Sequence, residues 1–446
     1  MNLLIIKRAH IATIMSLATP IILSMFSQNL LTLVDTMMIG YLGNVALAAA
    51  GIGGFLNYLL ISAAIGLSTG IQALTARQMA KGDRSSLFLT QGNRFILWIG
   101  IPLTILMWVL TEPIMGLLSQ DPDVIRQGSD YFHWRVLGIA LMGIQIAYRG
   151  FWTGIHSPMN YFKILLVTHA LNIGLNFLLI FGGLGIPALG LIGAGIGSSL
   201  SLLIGDAILW LHLKHKESNG QINAVAATSN ERSALIKYSL PLCLQELGFS
   251  LGIFVFLWII AQLGTEALAI GNVLITISLT AILPGVGFGI AAVTLTSHAI
   301  GAKEFSKVKQ WTKETAMIGG GGIFLLAMLG LLLAEPILSL FIKDTPTLLT
   351  AIPLFRLDCL FIGFQVTSII LLHALKGMGY TRLVLLIILL SQWGLQLPFA
   401  YLIGVHLSYS LLGIWMVSVS FQLCLFLFLF ILLIRIPVIP TVIPRK

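Results

Sequence analysis

The chain matches itself. Shifted by 221 residues and without a gap, Pro20 falls on Pro241, Leu23 on Leu244 and Leu30 on Leu251. Leu42-Gly43 then falls on Leu263-Gly264, Ala46-Leu47-Ala48 on Ala267-Leu268-Ala269, Gly66 on Gly287, and Leu74-Thr75 on Leu295-Thr296. Further along, Arg135 meets Arg356 in the same register. Apolar sequences coincide by chance at Leu and Ala, but Pro and Gly held at one offset mark a duplicated unit. In a membrane chain such duplication is the architecture of many secondary transporters, with the transport path at the repeat interface.

The chain is a membrane protein by composition. Of its 446 residues 57% are hydrophobic and 9% charged, far from globular usage. Runs of about 20 apolar residues cross a hydrocarbon core as helices, because lipid cannot satisfy backbone N–H and C=O groups. These runs are too long and too continuously apolar for barrel strands. The pattern predicts an all-α polytopic protein with twelve spans over 11–42, 46–76, 88–111, 124–150, 159–183, 188–213, 234–263, 266–298, 315–341, 347–376, 381–405 and 409–435. They divide six and six. An even number per repeat predicts two lobes related by a pseudo-twofold axis along the membrane normal. The expected boundaries are an N-terminal lobe 1–213, a flexible cytoplasmic linker 214–233, a C-terminal lobe 234–436 and a peripheral tail 437–446.

Charge placement gives orientation. Alternate connections carry Lys and Arg, as in Arg77/Lys81/Arg84, Arg149/Lys163, Lys214/Lys216/Arg232/Lys237, Lys303/Lys307/Lys309/Lys313 and Lys376/Arg382. The termini add Lys7, Arg8, Arg435, Arg445 and Lys446, whereas the intervening connections hold Glu112, Asp121, Asp123, Asp130, Glu335 and Asp344. That asymmetry puts both termini in the cytoplasm. It also accounts for the net charge of +9 as topology and contact with membrane lipids, and no nucleic-acid partner is expected. There is no G-x-x-x-x-G-K-[ST] loop, no Ser-His-Asp, HExxH or CxxC set, so neither an enzyme nor a cofactor is expected.

Polar groups inside the spans mark function. In the first span Gln28, Thr32 and Asp35 are spaced i, i+4, i+7 with Ser24 one turn below, so one helix face ends in a carboxylate. His169, Asn172 and Asn176 form a second stripe in the fifth span, at a depth similar to Asp35. If the stripes face one another, amides surround an acid able to take up and release a proton. His169 reads as a relay or as a hydrogen-bonded interior residue. In the second half Glu246 reads equally as a cation site or a structural partner, and Gln392 with Gln396 as an amide pair lining a substrate path. Asp206 reads as a partner for a nearby cation such as Lys214, and Arg135 and Arg356 as packing residues. Pro20, in the first span, removes a helix hydrogen bond and favours a kink.

These residues resemble the multidrug and toxic compound extrusion (MATE) transporters. The similarity lies in Pro20-Ile-Ile-Leu-Ser, Gln28, Val34-Asp35-Thr36, Gly40-Tyr-Leu-Gly43 and Ala46-Leu-Ala48, and again in Asn172-Ile-Gly-Leu-Asn176, Ile180-Phe-Gly and Gly190-Leu-Ile-Gly-Ala-Gly195. Arg149-Gly-Phe-Trp-Thr-Gly and His373-Ala-Leu-Lys-Gly-Met-Gly resemble the family's repeated helix ends. The first-span pattern is similar to the DinF-like branch. That resemblance implies protonation at Asp35, bending at Pro20, and cavity positions at Gln28 and Asn172. The branch often has aspartate where this chain has Asn176. The NorM-like branch places acids where this chain has Phe249 and Gln365, which implies protons and not sodium as the coupling ion.

The expectation is a proton-coupled antiporter of the bacterial inner membrane, a monomer, that exports drug-like organic compounds by alternating access between two lobes. The expected proton-coupling residues are Asp35, Gln28, Asn172 and Asn176, with Pro20 as hinge and Thr32, His169, Glu246, Gln365, Gln392 and Gln396 along a substrate path. The alternatives are a sodium-coupled drug antiporter and a lipid-linked precursor flippase.

Overall fold

A computed structural model describes residues 6–225 and 228–437. Among them the chain is helical throughout, with two isolated β-bridges, Ser85 with Asn223 and Gly183 with Ile186. Eleven helices among the described residues are long and apolar enough to cross a membrane. The first half runs α1 (Arg8–Gly40), α2 (Asn44–Met79), α3 (Leu87–Leu118), α4 (Pro122–Val136), α5 (Gly138–Gly154), α6 (Pro158–Phe181) and α7 (Gly190–Ser218). The second half runs α8 (Ser229–Ala261), α9 (Thr265–Gly301), α10 (Phe305–Leu332), α11 (Ala334–Ser339), α12 (Thr345–Met378), α13 (Thr381–Leu389), α14 (Leu397–Tyr401) and α15 (Ser410–Arg435).

The repeat is visible in backbone and packing. Gly43 and Gly264 both take φ 104°, with ψ 175° and 176°, a left-handed conformation that favours glycine at the tight turn between two spans. A side chain added at Gly66 would run into Leu242 and Cys243, and one added at Gly287 would run into Ile22. These two close approaches are equivalent in the duplication. Ser239, against Gly70, likewise corresponds to Ala18.

By contacts the described residues fall into two compact units, one within Leu23–Cys243 and the other formed by those up to Ile22 together with those from Leu244 onward. The divisions fall just past Pro20 and Pro241. In the first unit α6 packs along α7 and α2 along α5, with α4 against α2 and α7. Buried Leu235, Tyr238 and Leu242 of α8 belong to it, and the guanidinium of Arg77 lies 5.2 Å from the ring centre of Tyr238. In the second unit Ile14, Leu17 and Ala18 of α1 join a core with Ala291, Leu295, Val366 and Ile370.

Three expectations change. The span expected over 124–150 is two helices broken at Leu137. The first, capped by the Asp121 carboxylate on the Asp123 and Val124 amides with Pro122 at its start, carries Asp123, Arg126, Asp130, His133 and Arg135 and is too polar for lipid. The span over 381–405 contains π-helical segments Leu390–Gln396 and Leu402–His406. Pro398 has no N–H for the carbonyl of Gly394, and the wider turn follows from that lost bond.

The linker expected over 214–233 is mostly structured. Helix α7 continues to Ser218, Glu217 accepts from Lys214 at 2.7 Å and Ser86 at 2.6 Å, and Asn223 exchanges backbone bonds with residues 84 and 86. Thr228 and Glu231 then form a reciprocal cap that opens α8. The tail expected over 437–446 lies outside the described residues beyond Pro437.

The start of α12 is fixed by Asp344, whose carboxylate accepts from the Thr347 hydroxyl at 2.6 Å and its amide at 3.1 Å. Those bonds, the side-chain one foremost, hold this carboxyl below its ordinary range. With the folded value depressed, its contribution is complete at neutral pH and fades as pH falls through that value.

Candidate functional site

In the Leu23–Cys243 unit the two polar stripes meet. Asn176 of α6 donates through Nδ2 to Asp35 Oδ1 at 2.8 Å and to Asn172 Oδ1 at 3.0 Å. Asn172 Nδ2 donates in turn to Ser201 Oγ of α7 at 3.1 Å, and Ser201 donates to the Ser198 carbonyl at 2.8 Å. Asn172, Asn176 and Ser201 are buried, and Asp35 is half-buried. One turn toward the start of α6, His169 bonds α1 through both ring nitrogens, Nδ1 to Ser27 Oγ at 2.7 Å and Nε2 to Gln28 Oε1 at 3.3 Å. With the Gln28 oxygen accepting, Nε2 carries the proton and Ser27 donates to Nδ1.

Close approach of α6 and α7 builds this chain of bonds. A side chain at Gly197 would collide with the Asn176 amide, one at Gly193 with the Leu179 backbone, and one at Gly205 with Thr168. The small face of α7 therefore sets where Asn176 points. Its Oδ1 is buried with no hydrogen-bond partner among the described residues, while its Nδ2 donates to both Asp35 and Asn172. The amide thus presents donors to Asp35, the arrangement that suits a carboxylate.

Two residues of α4, Tyr131 and Arg135, neighbour Asp35, and Tyr131 was not singled out from the sequence. Arg135 interacts with Asp35 electrostatically and hydrogen-bonds the buried Tyr131, so this arginine does more than pack α4. Among the described residues no cation lies in ion-pair contact with Asp35, the nearest partner being the neutral Asn176. Thr32 is exposed, and its hydroxyl bonds back to the Gln28 carbonyl at 3.1 Å. Asp206 does not pair with Lys214, which is taken by Glu217; both its oxygens are buried without a hydrogen-bond partner among the described residues.

The second unit holds a cavity of about 230 Å³ lined by Gln365 of α12, Gln392 and Gln396 of the first π segment, and Phe249 of α8. The π turn carries this geometry, because Gly248 and Gly252 let it lie against α8. Trp393 Nε1 donates to the Gly248 carbonyl at 3.0 Å, and Gln392 packs on Gly252. The lining includes one carboxylate, Asp358 of α12, which accepts from Ser278 at 3.0 Å and from the Trp415 indole. No lysine or arginine is among the lining residues. Asp358 lies in an apolar span, a position that makes a carboxylate a candidate functional residue. Glu246 is not in this cavity. It pairs with Lys376 at 3.0 Å, their side chains 18% and 4% exposed. Lys376, expected in a basic connection, is buried in the last turn of α12.

The MatE family model matches residues 20–178 and again 241–402, starting at the two prolines that anchor the duplication. Similar proteins include the "Probable multidrug resistance protein NorM" of Mesorhizobium japonicum, 24% identical over 92% of this chain and 90% of that one. "Probable multidrug resistance protein YoeA" of Bacillus subtilis is 25% identical over 89% and 87%, and a NorM protein of the same description from Rhodopseudomonas palustris is 27% identical over 92% and 88%. The fold is that of solved MATE proteins. A crystal structure of MATE in the bent conformation aligns with a TM-score of 0.86 at 20% identity, covering 94% of each chain. An outward-facing MATE transporter of the MOP superfamily aligns with a TM-score of 0.83 at 21% identity over 94% and 95%. The doubled match of the family model, covering most of the sequence in the register of its own repeat, makes this chain a member of the MatE family.

Proposed function

We propose that the protein is a proton-coupled exporter of amphipathic, cationic organic compounds in the bacterial cytoplasmic membrane, working by alternating access with both termini in the cytoplasm. The observation that carries this reading is the bond from Asn176 to Asp35 inside a buried chain of amides and hydroxyls. Relatives described as multidrug resistance proteins support organic compounds as cargo.

A proton reaching Asp35 from outside turns an acceptor into a donor. The Asn176 amide, whose Oδ1 has no hydrogen-bond partner among the described residues, can turn over and accept from the new O–H. The bond to Asn172 then breaks, and the face of α1 toward α6 repacks. Pro20 lies close to the point where α1 passes from one compact unit to the other, so bending there moves Asp35 while Ile14, Leu17 and Ala18 stay in their core. Substrate that binds better to the deprotonated form is expelled, since coupling requires different affinities for two states. Release of the proton to the cytoplasm completes the cycle.

The purified protein tests this linkage without transport. A fluorescent organic cation bound at pH 8 should leave on acidification to pH 5, while Asp35→Asn should bind weakly and alike at both values. Acid release that persists in Asp35→Asn would move the proton site elsewhere.

The second-unit cavity supports the cationic part of the reading. One carboxylate, aromatic rings and glutamine amides form a surface suited to an organic cation. Asp358→Asn should raise KM for a monocationic dye about tenfold, the worth of a charge-assisted contact, and leave a neutral substrate unchanged. An equal loss for both would place Asp358 in the scaffold.

A further inference from the structure

We propose that the second unit holds an anionic phospholipid of the cytoplasmic leaflet in a groove between α10, α12 and α15. The groove encloses about 790 Å³, within the size range of sites that take a whole small ligand. Its walls are apolar along most of their length, with Phe324, Phe364, Phe426, Phe430 and Leu433 prominent. Its floor exists because α10 carries four consecutive glycines, Gly319–Gly322. The first two serve packing, since a side chain at Gly319 would meet Phe288 and Ile370, and one at Gly320 would meet Thr367. Gly321 lines the groove, and a side chain added there meets nothing within 4 Å.

One end of this groove is basic. Lys309 and Lys313, both exposed, are one helical turn apart on the same face of α10 and belong to the lining. Lys309 Nζ donates to the Ile434 carbonyl at 3.2 Å, which places its charge at the C-terminal end of α15, next to Arg435. These lysines, in the first turns of α10, belong to the basic cluster that the positive-inside asymmetry assigns to the cytoplasmic side. A phosphate that carries net negative charge, with an acyl chain behind it, fits this order of basic mouth and apolar trough. A zwitterionic headgroup brings its own ammonium to the same lysines and loses that advantage. The site involves neither Asp35 nor the Asp358 cavity, so it stands apart from the transport reading.

Native mass spectrometry of the full chain, released from micelles holding equal phosphatidylglycerol and phosphatidylcholine of the same chain length, tests the assignment. The wild type should retain one phosphatidylglycerol in preference to phosphatidylcholine by about tenfold, as two lysines near a surface charge allow. Lys309→Gln with Lys313→Gln should remove the preference. Gly321→Leu should remove retention of either lipid by filling the groove. Gly322→Leu, where the side chain also meets nothing within 4 Å and is outside the lining, is the matched control and should behave as wild type. Retention of both lipids alike, or undiminished retention in Gly321→Leu, overturns the proposal. So does displacement of bound lipid by an organic cation without any preference for the anionic headgroup, which would make the groove a drug site.

Discussion

Asp35→Asn should reduce drug efflux in cells to the level of cells lacking the protein, with the variant inserted and folded at wild-type abundance. The side chain is isosteric and keeps an oxygen where Asn176 Nδ2 donates at 2.8 Å, so the network can form. What it loses is the ability to alternate between accepting and donating at that oxygen. A rigid scaffold role predicts little change in efflux from so conservative a substitution, and a proton site predicts all of it. Asp35→Glu should retain partial activity, because the acid remains but one methylene longer in a chain of bonds with fixed reach. Efflux assays with expression and melting controls decide between the readings.

The largest stability effect is expected at the Lys376–Glu246 pair. A lysine 4% exposed beside a carboxylate 18% exposed at 3.0 Å forms a largely buried ion pair, and removing either charge breaks it at a loss of about 3–5 kcal/mol. Lys376→Met and Glu246→Leu should therefore each lower the unfolding midpoint in detergent sharply. The double variant should recover most of the loss, since an apolar pair of similar volume needs no compensation in that setting. Two independent, additive losses would show that the ion pair contributes nothing as a pair.

Much of the fold was legible because membrane spans and duplications leave signals in single residues. Leu42-Gly43 and Leu263-Gly264 matched in sequence and share one left-handed turn geometry. Gly66 and Gly287 matched and receive equivalent neighbours. Asp35 with Asn172 and Asn176 was legible because helical spacing put each set on one face, and the bond between the stripes followed from their similar depth.

Other features depend on contacts that a hydropathy pattern does not carry. The break at Leu137 divides a polar helix from an apolar one whose summed length suffices for a span. The first π segment depends on Pro398 together with the glycine face of α8. Asp206, expected to meet a cation, is enclosed because its neighbours on other helices are far away in sequence. Asp358 differs from these. It was not among the candidates named from the sequence, although a carboxylate in an apolar span is itself a signal, and packing of α9, α12 and α15 brings Ser278 and Trp415 to it.

The most direct measurement is transport by the purified protein in sealed vesicles energised by one ion gradient at a time. A pH gradient alone should drive an organic cation against its concentration gradient, a sodium gradient at equal pH should not, and Asp35→Asn should be inactive under both. Dye movement that follows sodium and ignores pH, or that continues in Asp35→Asn, would contradict coupling through a proton on this side chain.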